Sequence, residues 1–180
     1  MDCKRALSET ESDLDKAVDL LRAKGAAKAA KRAEKSANEG TIGSYVHFDN
    51  RTAVLVELNC ETDFVANTDD FKALAKDLAL HVASMAPLAV SSDDIPTEVV
   101  EKERAVYREQ VKQDGKPESI ADKIVEGKLN KFFKQSTLMA QPFVKDPDKT
   151  IEDLITEVSA RTGEKIEVAR FYRIKIGEKG

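Results

Sequence analysis

Tryptophan is absent from this 180-residue chain, cysteine and histidine occur only twice each, and glycine and proline number eight and five. Each shortage removes a class of chemistry. Cys3 and Cys60 form no C-x-x-C pair, which argues against a disulfide framework or a zinc site and suits a reducing compartment. His47 and His81 leave little material for hydrolytic or metal chemistry. Neither G-x-x-x-x-G-K-[ST] nor G-x-G-x-x-G occurs, so no glycine-rich cradle for phosphates is expected. No apolar run approaches the roughly 18–20 residues that a membrane span needs. No charged-then-apolar leader opens the sequence, so a secretory signal is not expected either. The net charge of −4 lacks the strong basic excess of a dedicated nucleic-acid binder. What is present is 41% hydrophobic and 34% charged residues, enough for one good core with at most a small appended module.

The chain opens with two short helical patterns. Asp2 can cap the first, with Ala6 and Leu7 as its apolar side. Leu14, Ala17, Val18 and Leu21 recur at helical spacing in the second, and Gly25 is predicted to end it. Two such helices are too small to be stable alone. Residues 26–40 are alanine-rich and basic, a helical linker with a solvated face or a basic strip for an acidic partner. From Thr41 the period changes to that of strands. Ile42, Tyr45-Val46 and Phe48, then Val54, Val56 and Leu58, flank a turn at Asp49-Asn50-Arg51 and predict a β-hairpin. A long helix follows with Phe71, Leu74, Ala75, Leu78, Val82 and Met85 on one face.

Pro96-Thr97 starts a further helix with Val100, Tyr107 and Val111 inward. Pro117 starts its partner, with Ile120, Ile124 and Phe132 on one face. Together they predict a helical hairpin over about 97–135. Residues 138–148 read as irregular, with Phe143-Val144 exposed. Thr150-Ile151-Glu152-Asp153 resembles a capping box and starts a short helix closed by Gly163. The end alternates as a half-buried strand, Ile166, Val168, Tyr172, Ile174 and Ile176 on one side, with a bulge expected at Arg170-Phe171. The expected architecture is α+β: a three-stranded antiparallel sheet, formed by the hairpin and the last strand, packed with helices on one face.

The stretch with the most promise is Asn59-Cys60-Glu61-Thr62-Asp63-Phe64-Val65-Ala66-Asn67, the corner between the second strand and the long helix. It sets a large aromatic beside a carboxylate in a connection that should run over the surface. Asp63-Phe64 is either a capping acid with a core-anchoring ring, or a wedge presented to a partner; composition does not separate the two. As enzyme chemistry, a Cys60–His47 pair is conceivable on neighbouring strands, but Cys60 reads more naturally as a small hydrophobe at a strand end. Glu61 and Asp63 are too few for a metal site. His81 reads as a packed residue on the apolar side of its helix.

Several segments resemble the translation elongation factor Ts family: Met1-Asp2-Cys3-Lys4-Arg5-Ala6-Leu7, Leu21-Arg22-Ala23-Lys24-Gly25, Gly43-Ser44-Tyr45-Val46-His47, Asn59 to Ala66, Gly115-Lys116-Pro117-Glu118, Val125-Glu126-Gly127-Lys128 and Gln141-Pro142-Phe143-Val144. They occur in family order over nearly the whole chain. The resemblance implies a partial, truncated ubiquitin-associated-like module over residues 1–25, a basic linker over 26–40 and a core over 41–180. Members of the family begin roughly twenty residues earlier, with a helix that completes that module. The implied function is guanine-nucleotide exchange on elongation factor Tu in the cytoplasm of a bacterium, or in an organelle, with no cofactor, metal or catalytic group of its own. Asp63-Phe64, flanked by Thr62 and Val65, would push in near the magnesium and phosphates of that GTPase. Asp2, Cys3, Lys4, Arg32, His47, Phe143 and Val144 match further positions that face the partner in the family. A binding scaffold without exchange is the alternative. The compact single core implies possible pairing with a second copy, and neither a direct nucleic-acid contact nor a membrane is expected.

Overall fold

A computed structural model describes residues 2–32, 34–115 and 117–178. The sheet is built from β1 (Glu39–Val46), β2 (Thr52–Cys60) and β5 (Ile166–Lys175), antiparallel in the order β1-β2-β5. The α+β reading holds. On β2, alternate residues Val54, Val56, Leu58 and Cys60 are buried, the period-2 pattern of a sheet with one covered face. The cover is α4 (Asp69–Met85), whose Phe71, Leu74, Ala75, Leu78, Ala79 and Val82 face the sheet. Thr68 starts α4 by accepting the Phe71 N–H on its hydroxyl, and Ala86 ends it in the left-handed region. α7 (Ile151–Thr162) closes the core with Ile151, Ile155 and Val158. Its start is the expected capping box of Thr150 and Asp153, and Gly163 at φ 80° is its C-cap.

Helix α4 approaches the sheet tightly at Gly43 on β1. A β-carbon there would lie 2.1 Å from the Ala75 carbonyl oxygen. Only glycine permits this approach of strand to helix backbone.

The bulge in β5 has a larger effect than its single residue suggests. Leu58 pairs with Val168 but Glu57 pairs with Arg170, so the inward parity flips within the strand. Ile166 and Val168 point to the core, and beyond the bulge Phe171 does so too. Tyr172 and Ile174 are thereby turned to the outer face, which corrects the expectation that they share a side with Ile166 and Val168. That outer face carries exposed Ile42, Val46, Leu55, Tyr172 and Ile174, with a Glu57–Arg170 ion pair at 2.6 Å among them.

The N-terminal part departs from expectation at Gly25. Helix α1 (Asp2–Glu9) is followed by α2, which runs from Leu14 through Gly25 to Arg32. An interior glycine costs a helix only about 1 kcal/mol relative to alanine, and the alanines that follow sustain it. Ala6 and Ala17 are buried, while Leu14 and Val18 lie exposed.

Helices α5 (Thr97–Gln113) and α6 (Glu118–Ser136) form the expected hairpin around a separate small cluster of Val111, Val125 and Leu129. The buried stripe of α6 is rotated from the predicted one: Ile120 is exposed, and Val125 and Leu129 take the interior. The hairpin's base is tied to the body by Leu88 N–H to Ser136 O and Leu138 N–H to Ala89 O, at 2.8 and 2.9 Å.

Residues predicted to be irregular form a two-stranded ribbon, β3 (Pro142–Phe143) with β4 (Asp146–Thr150). Phe143 is only 6% exposed and packs in the main core, which corrects its expected exposure. The ribbon is fastened to α4 by His81. The Val144 N–H donates to His81 Nδ1 at 3.2 Å, and His81 Nε2 lies 3.0 Å from the Gln141 side-chain oxygen. Gln141 donates its own amide N–H to the Gln135 carbonyl, so the ring is the neutral Nε2–H tautomer on both counts.

Burial pushes the His81 pKa down from 6.5, opposed by the Gln141 hydrogen bond. The unfolded chain therefore holds this proton where the folded chain does not. Stability is full above 6.5 and falls as pH drops below it, toward the depressed folded value. The thermal midpoint should decline between pH 7 and 5.5. His81→Leu, although less stable at every pH, should lose that slope; an unchanged slope would show that another group sets it.

Candidate functional site

Strand β2 ends at Cys60, and the chain turns through Glu61-Thr62 into the single turn α3 (Asp63–Ala66) before α4 begins. A four-residue helix cannot hold itself, because nucleation fixes several dihedrals for one hydrogen bond. Local bonds supply part of the restraint. Thr62 is the N-cap, its hydroxyl accepting the Val65 N–H at 3.4 Å. The Asn67 side chain donates to the Asp63 carbonyl at 2.9 Å, and the Thr68 hydroxyl donates to the Val65 carbonyl at 2.8 Å. Ala66 is buried and Val65 packs partly on the core, which pins one side of the turn. Asp63 occupies the first helical position and is exposed, so the capping role belongs to Thr62. Phe64 is 83% exposed. The core-anchoring alternative for this ring does not describe the structure.

The remaining restraint comes from the turn between α7 and β5. One oxygen of Glu164 accepts the N–H groups of Glu61 and Thr62, both at 3.1 Å, and the other accepts the Thr62 hydroxyl at 2.6 Å. In return Glu61 accepts the Lys165 N–H at 2.7 Å, and its other oxygen meets the Lys35 ammonium at 2.7 Å. The Lys35 hydrogen bond, followed by the Lys165 amide, holds the Glu61 carboxyl below its ordinary value. Sequence reasoning missed Glu164. It lies 102 residues from Thr62, and no local pattern marks it.

Other candidate residues are spread out. Arg32 donates from Nη1 to the Ser159 carbonyl at 3.1 Å, near the C-terminal, electronegative end of α7, and its charge also acts on Glu61. Lys4 is exposed on α1, while the side chains of Asp2 and Cys3 lie outside the described ones. His47 follows β1, with Nδ1 3.0 Å from the Tyr45 hydroxyl and its ring 4.4 Å from that of Phe48. It helps line a cleft of about 390 Å³ with Thr52, Ser84, Arg173 and Lys175.

Cys60 pairs with Glu39 at the far end of the hairpin from Val46. His47 is thus about eight rungs away, roughly 27 Å at strand spacing, so the structure does not bring this pair together. The Cys60 thiol is buried and donates to the Thr62 carbonyl; burial, with the Glu164 charge second, pushes its pKa up. That is the opposite of an activated nucleophile. Val144 and Phe143 meet α4 at His81, twelve residues along the helix from Asp69 and hence roughly 18 Å from the corner.

Fold and corner together define an α+β protein that displays an aromatic side chain on a clamped strand-to-helix turn. The family model described as Elongation factor TS matches residues 6–178. Elongation factor Ts of Thermosipho melanesiensis is 52% identical over 178 residues, 99% of this chain and 91% of that one. The protein of the same name from Syntrophobacter fumaroxidans is 54% identical over 177 residues, 98% and 88% of the two chains. That of Thermotoga maritima is 55% identical over 178 residues, 99% and 88%. The chain belongs to the elongation factor Ts family.

Proposed function

We propose that the protein binds elongation factor Tu in its GDP form and accelerates GDP release by inserting Asp63-Phe64 beside the magnesium and phosphate site of that GTPase. The observation that carries this reading is the exposure of Phe64 on a turn whose backbone is restrained from both sides. A phenyl ring held in water gains about 1.5–3 kcal/mol on being buried by a partner, and a restrained turn keeps more of that gain because less has to be ordered on binding. Exchange needs no bond-making group. A protein that binds the nucleotide-poor GTPase more tightly lowers the GTPase's affinity for GDP, and GDP lowers its affinity for the protein by the same factor. Lys4, Arg32, His47 and Val144, spread over the surface from α1 to the ribbon, are assigned to further contacts with the same partner.

The test is release of fluorescent GDP from elongation factor Tu. Faster release in the presence of this chain supports exchange. Binding without faster release would leave a scaffold and overturn the exchange reading.

We further propose that the outer face of the sheet pairs with the same face of a second copy. Ile42, Val46, Leu55, Tyr172 and Ile174 supply its apolar area. The Glu57–Arg170 pair neutralises its own charge, so an identical face is not repelled, and sheets pack face to face at about 10 Å. Ile174→Lys should then convert a dimer to a monomer in light scattering. A wild-type chain that is monomeric at every workable concentration would remove the proposal.

A further inference from the structure

The two backbone amides that follow β2 have no strand to donate to, and buried or half-buried N–H groups must find acceptors. Glu164 provides one oxygen for both, those of Glu61 and Thr62. Its second oxygen takes the single hydroxyl proton of Thr62. That leaves the lone pairs of the Thr62 oxygen for the Val65 N–H, so Glu164 sets the direction of the N-cap as well as its place. Thr62 sits at φ −131° and ψ 153°, and these two angles aim the next two residues, Asp63 and Phe64.

The position of Glu164 is itself determined. Gly163 ends α7 in the left-handed conformation at φ 80°, the Ser159 hydroxyl donates to the Glu164 carbonyl, and the Glu61 carboxylate returns a bond to the amide of Lys165. Two carboxylates and three backbone amides thus join the β2–α3 corner to the α7–β5 turn. Lys35 offsets the charge of one of the acids at 2.7 Å.

We infer that Glu164 is a positioning residue for nucleotide exchange: acting through Thr62, it fixes the direction in which Phe64 is presented, without touching the partner. The inference rests on the exchange reading and adds to it a residue on another element. Without the clamp the corner keeps Ala66 and the start of α4 but loses the definition of Thr62, so the ring samples several directions. Misplacement of a reacting group by about 1 Å costs up to about 100-fold in rate, whereas contacts elsewhere keep the two proteins associated.

The experiment measures release of fluorescent GDP from elongation factor Tu at increasing concentrations of the full chain, for wild type, Glu164→Ala and Glu164→Gln. The maximum rate with Glu164→Ala should fall about 10-fold, less than on removing the ring itself, with the half-saturating concentration changed only a few-fold. Glu164→Gln should restore the rate. Its carbonyl oxygen can accept both amides, and its NH2 can donate to the Thr62 oxygen. Hydrogen exchange at the Glu61 and Thr62 amides of the free protein should be fast in Glu164→Ala and slow in Glu164→Gln. A Glu164→Ala chain with the wild-type maximum rate overturns the inference while leaving the exchange reading intact. So does a rate loss that matches only a loss of folded protein by near-ultraviolet circular dichroism, or a failure of Glu164→Gln to rescue. A wild-type chain that releases no GDP overturns the exchange reading and the positioning role with it.

Discussion

Phe64→Ala is expected to lower the GDP-release efficiency of the chain by about 30-fold, the equivalent of the roughly 2 kcal/mol lost on truncating a central aromatic anchor. Its effect on stability should stay within about 0.5 kcal/mol, as for other exposed positions. The pairing of these two outcomes follows from the structure. Phe64 is 83% exposed and belongs to neither hydrophobic cluster, so its removal leaves no cavity. The backbone bonds of the corner are made by Thr62, Asn67, Thr68 and Glu164, none of which needs the ring. Stopped-flow release of fluorescent GDP and thermal unfolding monitored by circular dichroism check the two halves. Full exchange by Phe64→Ala would show that the displayed ring is not the wedge, and a large fall in melting temperature would show that the ring packs in solution.

Gly43→Ala should have the opposite signature, a large loss of stability with no change in any contact group. The added β-carbon would meet the Ala75 carbonyl oxygen at 2.1 Å and its carbonyl carbon at 2.4 Å. These are backbone atoms in the middle of α4, so no rotamer change can make room. Helix and strand must move apart, and the cover over Val56 and Leu58 loosens. Overpacking a core usually costs 1–3 kcal/mol and occasionally more. A clash of backbone with β-carbon belongs at the upper end, so about 3 kcal/mol is expected. For a chain of this size that is a fall of about 6–12 °C in melting temperature. A calorimetric midpoint within a degree of wild type would mean that the approach of β1 to α4 is looser in solution.

The contrast between these two residues shows how much the sequence made legible. Asp63-Phe64 stood out because an aromatic in a polar corner breaks a local rule, and the motif resemblance then gave it a role. The hairpin, the long helix, the capping box at Thr150 and the three-stranded sheet follow from periods and caps that act over a few residues. What was not legible acts across distance. Glu164 meets its partners only when the chain has closed. The bulge near Arg170 was expected, but its consequence, the reversal that turns Tyr172 and Ile174 outward, depends on the register with β2. Phe143 was placed outside because it lies between prolines. It packs in the main core, where His81 of α4 accepts the adjacent Val144 amide and fastens the ribbon. Gly25 was given the role of a stop, which a glycine takes only when the residues after it do not continue the helix.

The helical hairpin of α5 and α6 has its own cluster of Val111, Val125 and Leu129, with partly buried residues such as Tyr107 and Phe133 around it. Its surface is stitched by exposed pairs such as Arg104 with Glu126, which add little. Cooperativity within the molecule is therefore uneven. The body unfolds as one unit because β5 closes the sheet begun by β1 and β2, while the hairpin can open as a unit of lower free energy. Its opening leaves the corner's restraints in place, since none of the groups that hold Thr62 comes from α5 or α6. The display surface is thus held by restraints of its own, and opening of the arm is expected to leave the presentation of Phe64 unchanged.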